Sequence, residues 1–149
     1  MSLVNQISVL PLRCIQPADG IEICPVDSVG VTEYRIPSSH ETNLVHIAPN
    51  TVENLFVHHF QTDQLLVVKG KLVLVILQNG RYEYVLMSDR TPSVIIIPPG
   101  IPHGAANLTD QPCIAINSVI RHGTPHPWDY RPVKLPMPYD LDTIHKLLL

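Results

Sequence analysis

The apolar run Ser93-Val94-Ile95-Ile96-Ile97 stops at Pro98-Pro99-Gly100, and this stop constrains the fold more than any other feature of the chain. Consecutive β-branched residues favour a buried strand. Two prolines cannot extend a strand ladder, and the glycine accepts the positive φ of a tight bend. His103 follows three residues after Gly100, and Asn107 four residues after that. A rigid turn fixes the direction in which a histidine leaves it, and catalysis or metal ligation needs that control.

The other apolar segments are short and similarly punctuated. Ile7 to Ile15 reads as an opening strand interrupted by Pro11. Val31 to Ile36 alternates up to Pro37, Asn43 to Ile47 closes at Pro49-Asn50, and Asn54 to Phe60 reads as a strand carrying His58 and His59 near its end. Gln64 to Val68, Lys71 to Leu77, Arg81 to Met87 and Ile114 to Ile120 follow. Asn79-Gly80 predicts a two-residue hairpin, since both residues accept positive φ. Roughly eight to ten short strands at a spacing of about ten residues predict an all-β sandwich or barrel.

Length and organisation predict a single domain over 1–149, with a barrel core over about 30–122 and an extended tail over 123–149. Pro125, Pro127, Pro132, Pro136 and Pro138 dictate that tail. Asp140 or Asp142 can cap a short terminal helix in which Leu141, Ile144 and Leu148 share a face. Lys71 to Leu77 is apolar on both faces, so its outer face needs a cover. A partner subunit is the expected cover, which makes the protein a homodimer; the proline-rich tail is the alternative.

Composition removes several function classes. The formal net charge is −3, and no basic tract or aromatic–basic interleaving points to nucleic acid. No apolar run approaches the roughly 20 residues that a membrane helix needs. Cys14, Cys24 and Cys113 show no Cys-x-x-Cys spacing, so a disulfide framework or zinc ribbon is not expected. Met1 to Gln6 lacks a charged region followed by an apolar one, so no signal peptide is expected and a cytoplasmic location is.

The pattern Pro98-x-Gly100-x-x-His103-x-x-x-Asn107 resembles the second signature motif of the cupin superfamily, which implies a double-stranded β-helix, or jelly-roll barrel. The first cupin motif is matched by Gly70 as its closing glycine, by Asp63 in the place of its glutamate, and by His58 or His59 as its second histidine. Phe56 or Val57 stands where its first histidine falls. The metal site this implies is His58 or His59 with Asp63 and His103, a 2-His-1-carboxylate set suited to iron, manganese or zinc. Neighbours on a strand point to opposite faces, so one of the paired histidines faces the cavity.

Residues 54–132 also resemble the dTDP-4-dehydrorhamnose 3,5-epimerase (RmlC-like) family. His59-Phe60-Gln61 leads into the strand ending at Gly70, Ile97-Pro98-Pro99-Gly100-Ile101-Pro102-His103-Gly104 matches its turn, and Pro125-His126-Pro127-Trp128-Asp129-Tyr130 is similar to its tail. The resemblance implies a metal-independent isomerase acting on a keto-sugar nucleotide, with no cofactor. His59, or its neighbour His58, is then the base, and His103 lines the cavity. Gln61, Asn107, Arg81, Arg121 and Tyr82 are the implied substrate contacts, the arginines for the diphosphate. The alternatives are the metal cupin above and a non-catalytic small-molecule binder.

Overall fold

The computed structural model describes residues 7–12, 15–23, 40–129 and 131–149. The expected Val31–Ile36 strand lies outside them. The opening segment divides into β1 (Ser8–Pro11), β2 (Ile15–Ala18) and β3 (Ile21–Ile23). The barrel consists of β4 (Glu41–Ile47), β5 (Thr51–Val52), β6 (Gln61–Lys69), β7 (Lys71–Gln78), β8 (Arg81–Ser88), β9 (Ser93–Ile97), β10 (His103–Asn107) and β11 (Cys113–Arg121). A single helix, α1 (Leu141–Leu148), follows.

Two antiparallel sheets face each other. One has the order β1-β9-β6-β11-β4, the other β5-β10-β7-β8. Period-2 alternation sends Leu65 and Val67 of β6, Leu72, Leu74 and Ile76 of β7, and Ile95 and Ile97 of β9 into the space between them. The Asn79-Gly80 hairpin forms as expected, with φ of 52° and 72°.

The expected strand over Asn54 to Phe60 does not form. Leu55 and Phe56 make isolated bridges to Val133 and His103, and the chain then crosses the end of the sandwich. Gly104 permits this: a Cβ there would come within 2.5 Å of the Asn54 carbonyl oxygen. Conversely β10, which was not expected, is a strand. Its small residues Gly104, Ala105 and Ala106 carry little strand propensity of their own and pair because β7 and β5 lie on either side.

The outer face of β7 is covered by the chain itself, not by the partner subunit expected for it. Val73 and Val75 pack with Ala106 beneath Ile144 and Leu148 of α1. Asp140 caps α1, its carboxylate accepting from the Thr143 amide at 3.1 Å and the Thr143 hydroxyl at 2.6 Å. Tyr84 Oη accepts from the Asp140 amide, and Tyr82 Oη donates to the Met137 carbonyl. Both tyrosines therefore hold the tail down on the outer face. Leu141 does not share the buried face of α1 and is 47% exposed. Ile144→Ala is expected to cost about 2–5 kcal/mol in urea unfolding, whereas Leu141→Ala stays within about 0.5 kcal/mol. Equal effects of the two would contradict this cover.

Candidate functional site

The segment 54–60 carries both histidines across the mouth of the barrel and is stitched down on each side. Phe56 and His103 exchange backbone hydrogen bonds of 2.8 and 3.0 Å. The His58 carbonyl accepts from the Gly100 amide, which belongs to the Pro98-Pro99-Gly100 turn, and the Phe60 carbonyl accepts from the His122 amide. Two consecutive side chains on this crossing face different ways. His58 enters a cavity of about 310 Å³ between the sheets; His59 turns out to the rim.

Asp63 is the centre of the cavity site. Its side chain is 4% exposed, on an inward position of β6. Oδ1 accepts from Gln61 Nε2 at 2.6 Å and from Asn117 Nδ2 at 3.1 Å. Oδ2 lies 3.2 Å from His103 Nε2 and 3.5 Å from His58 Nε2. His103 Nδ1 sits 2.9 Å from the Ile101 carbonyl. That ring therefore meets an oxygen acceptor at each nitrogen. Gln61 is itself held: Arg121 Nη1 donates to its Oε1 at 2.5 Å, and Arg121 Nη2 to Glu41 Oε2 at 2.6 Å.

Electrostatics separate the roles of these groups. Burial alone would raise the Asp63 carboxyl, but hydrogen bonding and charge from His103, the charge of His58 and the Asn117 amide outweigh it and hold it below the usual carboxylate range. Burial pushes His58 below its ordinary value; the Asp63 charge opposes this, and His103 adds to it. The site thus presents a neutral imidazole beside an ionised carboxylate. Cys113, whose thiol burial pushes up to about 11, is not a nucleophile.

A second trio lies on the rim. The Asp129 side chain is buried, and its Oδ1 takes His59 Nδ1 at 2.7 Å and the His59 amide at 3.2 Å, while Oδ2 takes the His126 amide at 2.9 Å. Burial works to raise this carboxyl; the His59 ring and the two amides prevail and lower it. His126 Nδ1 accepts from the Trp128 amide, and ligand atoms of His59, His126 and Asp129 lie within 4.8 Å of one another.

No model of a known protein family matches the chain, and no curated protein matches it. Solved structures do. A dTDP-4-dehydrorhamnose 3,5-epimerase from Sulfolobus tokodaii is similar with a TM-score of 0.67 and 21% identity, over 92% of this chain and 87% of that one. The fold is that of the RmlC-like cupins. A dTDP sugar isomerase from Desulfovibrio desulfuricans is similar at a TM-score of 0.65 and 21% identity, over 83% of this chain and 85% of the other. The WlaRB TDP-quinovose 3,4-ketoisomerase from Campylobacter jejuni is similar at 0.65 and 12%, over 85% and 92%.

Within this RmlC-like barrel the expected site residues divide. His58, Asp63, His103 and Gln61 line one cavity, with Arg121 bonded to Gln61 behind it. His59, expected as a base or metal ligand, does not line this cavity; it stands on the rim with its Nδ1 against Asp129. Asn107 is not a substrate contact: its Nδ2 donates to the Ile47, Ala48 and Gln111 carbonyls and its Oδ1 accepts from Thr109, which saturates it as a loop staple. Arg81 is exposed at the β7–β8 hairpin, and Tyr82 faces the tail on the outer side, so neither reaches the cavity. Asn43, Glu53 and Asn117, not singled out in the sequence, do line it, as does Phe56. Asn117 and Asn43 could have been found as polar residues on the inward alternation of β11 and β4.

The pH dependence of stability follows from the two lowered groups. A neutral buried His58 contributes fully above its ordinary value of 6.5, and the contribution is lost as pH falls through the lower folded value. Asp63 behaves likewise below its ordinary 3.8. Thermal melts should therefore show a first loss of stability beginning below about pH 6.5 that His58→Gln removes. An unchanged acid limb in that variant would contradict the assignment.

Proposed function

We propose that this chain is an epimerase or isomerase acting on a keto-sugar nucleotide, with His58 as the base and no metal required. The observation that carries the reading is a neutral histidine, an ionised carboxylate and a second histidine converging in one cavity. The structures it resembles include a dTDP sugar isomerase and a dTDP-4-dehydrorhamnose 3,5-epimerase. His58 takes the proton from a carbon beside the ketone, and the C–H electron pair moves onto the carbonyl oxygen as an enolate. The Asn43 and Asn117 amides, which line the cavity, supply hydrogen-bond donors for that oxygen. Return of the proton to the opposite face of the same carbon gives the epimer. Among the described residues no tyrosine lines the cavity, so the returning proton comes from a histidine, from Glu53 or from water.

With a dTDP-4-keto sugar in deuterium oxide, label is expected to enter at carbons flanking the ketone. His58→Asn should slow that exchange about a hundredfold or more, with His59→Asn close to wild type. Loss in His59→Asn alone would move the base to the rim. No exchange with wild-type protein would overturn the reading.

A second reading has one specific observation behind it. Ligand atoms of His58, Asp63 and His103 lie within 4.8 Å of one another. The Ile101 carbonyl fixes His103 Nδ1 and leaves Nε2 to ligate, and Gln61 and Asn117 occupy Asp63 Oδ1 and leave Oδ2. Bound there, iron(II), manganese or zinc would polarise the ketone as a Lewis acid. Elemental analysis showing about one metal per chain, lost in His103→Ala, would favour this arrangement over the metal-independent one.

The described helix is too short to cross a membrane, and a free buried thiol at Cys113 suits the cytoplasm that we propose. The homodimer belongs on the five-stranded sheet rather than on β7. Leu66, Ile116 and Leu44 stand opposite one another in register and form an apolar row across its outer face, ending at Leu44, which is 63% exposed, while Val94, next in the row, is already buried. A second copy packed on this row is the proposed cover. Leu44→Glu should convert a dimer to a monomer in light scattering; wild-type protein already at monomer mass would contradict it.

A further inference from the structure

The rim trio of His59, His126 and Asp129 is a cluster that the cavity chemistry does not use, and none of the three lines the cavity. The turn His126-Pro127-Trp128-Asp129 is closed twice: the Asp129 amide donates to the His126 carbonyl at 3.0 Å, and the His126 amide donates to Asp129 Oδ2 at 2.9 Å. Pro127 restricts the backbone between them. The Asp129 side chain is 1% exposed, and the backbone amides of His59 and His126 orient its two oxygens. Each amide uses one lone pair and leaves another on the same oxygen. His59 Nδ1 closes on Oδ1 at 2.7 Å, and the His59 and His126 ring centroids are 4.6 Å apart. The His59 side chain is 43% exposed, so solvent reaches the group.

We infer that His59, His126 and Asp129 form a divalent-metal site, for zinc or a similar transition metal, that is separate from the cavity and fastens the C-terminal tail to the 54–60 strap. Two imidazoles and a carboxylate are donors for zinc, cobalt, nickel or copper, whereas magnesium and calcium take oxygen donors. The ligand atoms already lie within 4.8 Å of one another. The metal replaces the proton between His59 Nδ1 and Asp129 Oδ1, which passes to His59 Nε2 or to solvent. It also takes the lone pair on His126 Nδ1 that the Trp128 amide meets at 3.2 Å, and that exposed amide turns to water. The two amides on Asp129 stay in place as the outer partners that fix a ligating carboxylate. Water fills the remaining position. The ligands come from segments 70 residues apart, so a metal held between them adds its binding free energy to the closed rim. This inference stands independently of the reaction proposed for the cavity.

Zinc should raise the melting temperature of the untagged, chelator-stripped full chain and bind it in calorimetry. Trp128, the sole tryptophan, lies between two of the ligands in sequence, so copper(II), a quencher of nearby tryptophan, should quench its fluorescence saturably, with zinc competing. His126→Ala should weaken zinc binding and copper quenching at least about tenfold. His103→Ala, which alters the cavity and not the rim, should leave both. His126 is half-buried on a loop; His126→Gln, which keeps a polar side chain in the turn, gives the same comparison should the alanine variant unfold. Zinc binding that survives in His126→Ala and His126→Gln but disappears in His103→Ala would put the metal in the cavity and overturn the rim site. Wild-type protein that binds neither zinc nor copper at millimolar concentration would overturn it as well.

Discussion

A carboxylate buried between two sheets is the constraint on which this structure turns. Asp63 cannot be ionised in an apolar interior without compensation, since an unpaired buried charge costs several kcal/mol or more. Its partners come from both sheets and from the strap across the mouth: Gln61 beside it on β6, Asn117 on β11, His103 on β10, and His58. The Gln61 amide is oriented in turn by Arg121, and Arg121 by Glu41 on β4. A chain of hydrogen bonds thus runs from Glu41 to Asp63 and makes a polar centre inside an apolar sandwich.

The apolar elements serve this arrangement by position. β7 fills both layers, with Leu72, Leu74 and Ile76 inside and Val73 and Val75 under α1. That cover keeps the four-stranded sheet closed and holds β10, and with it His103, at a fixed distance from β6. The close approach at Gly104 lets residues 53–56 pair along β10, and the Gly100 amide then pins the His58 carbonyl. The Pro98-Pro99-Gly100 turn therefore positions two histidines, one leaving it and one tied to it.

The sequence carried much of the fold through spacing: the Asn79-Gly80 hairpin, the proline stop after Ile97 and the apolar runs that became β6 to β9 and β11 are local signals that formed as local chemistry dictates. What could not be read is tertiary. β10 is small-residue sequence that pairs only because its neighbours are present. His58 and His59 are indistinguishable by pattern, because they lie on an irregular crossing where alternation is set by hydrogen bonds to Gly100 and Asp129 rather than by a ladder. Asn107 and Tyr82 bear the functional groups of ligand contacts, and only the structure shows those groups already consumed by the Gln111 and Met137 carbonyls. Asp63 was legible by its spacing to Gly70, but not its burial.

The most direct test is deuterium incorporation into a dTDP-4-keto sugar by Asp63→Asn, an exchange of nearly equal shape that removes the charge. If the ionised carboxylate organises the site, incorporation should fall at least about a hundredfold while circular dichroism shows the sheets intact. Incorporation at the wild-type rate would contradict the central place given to Asp63.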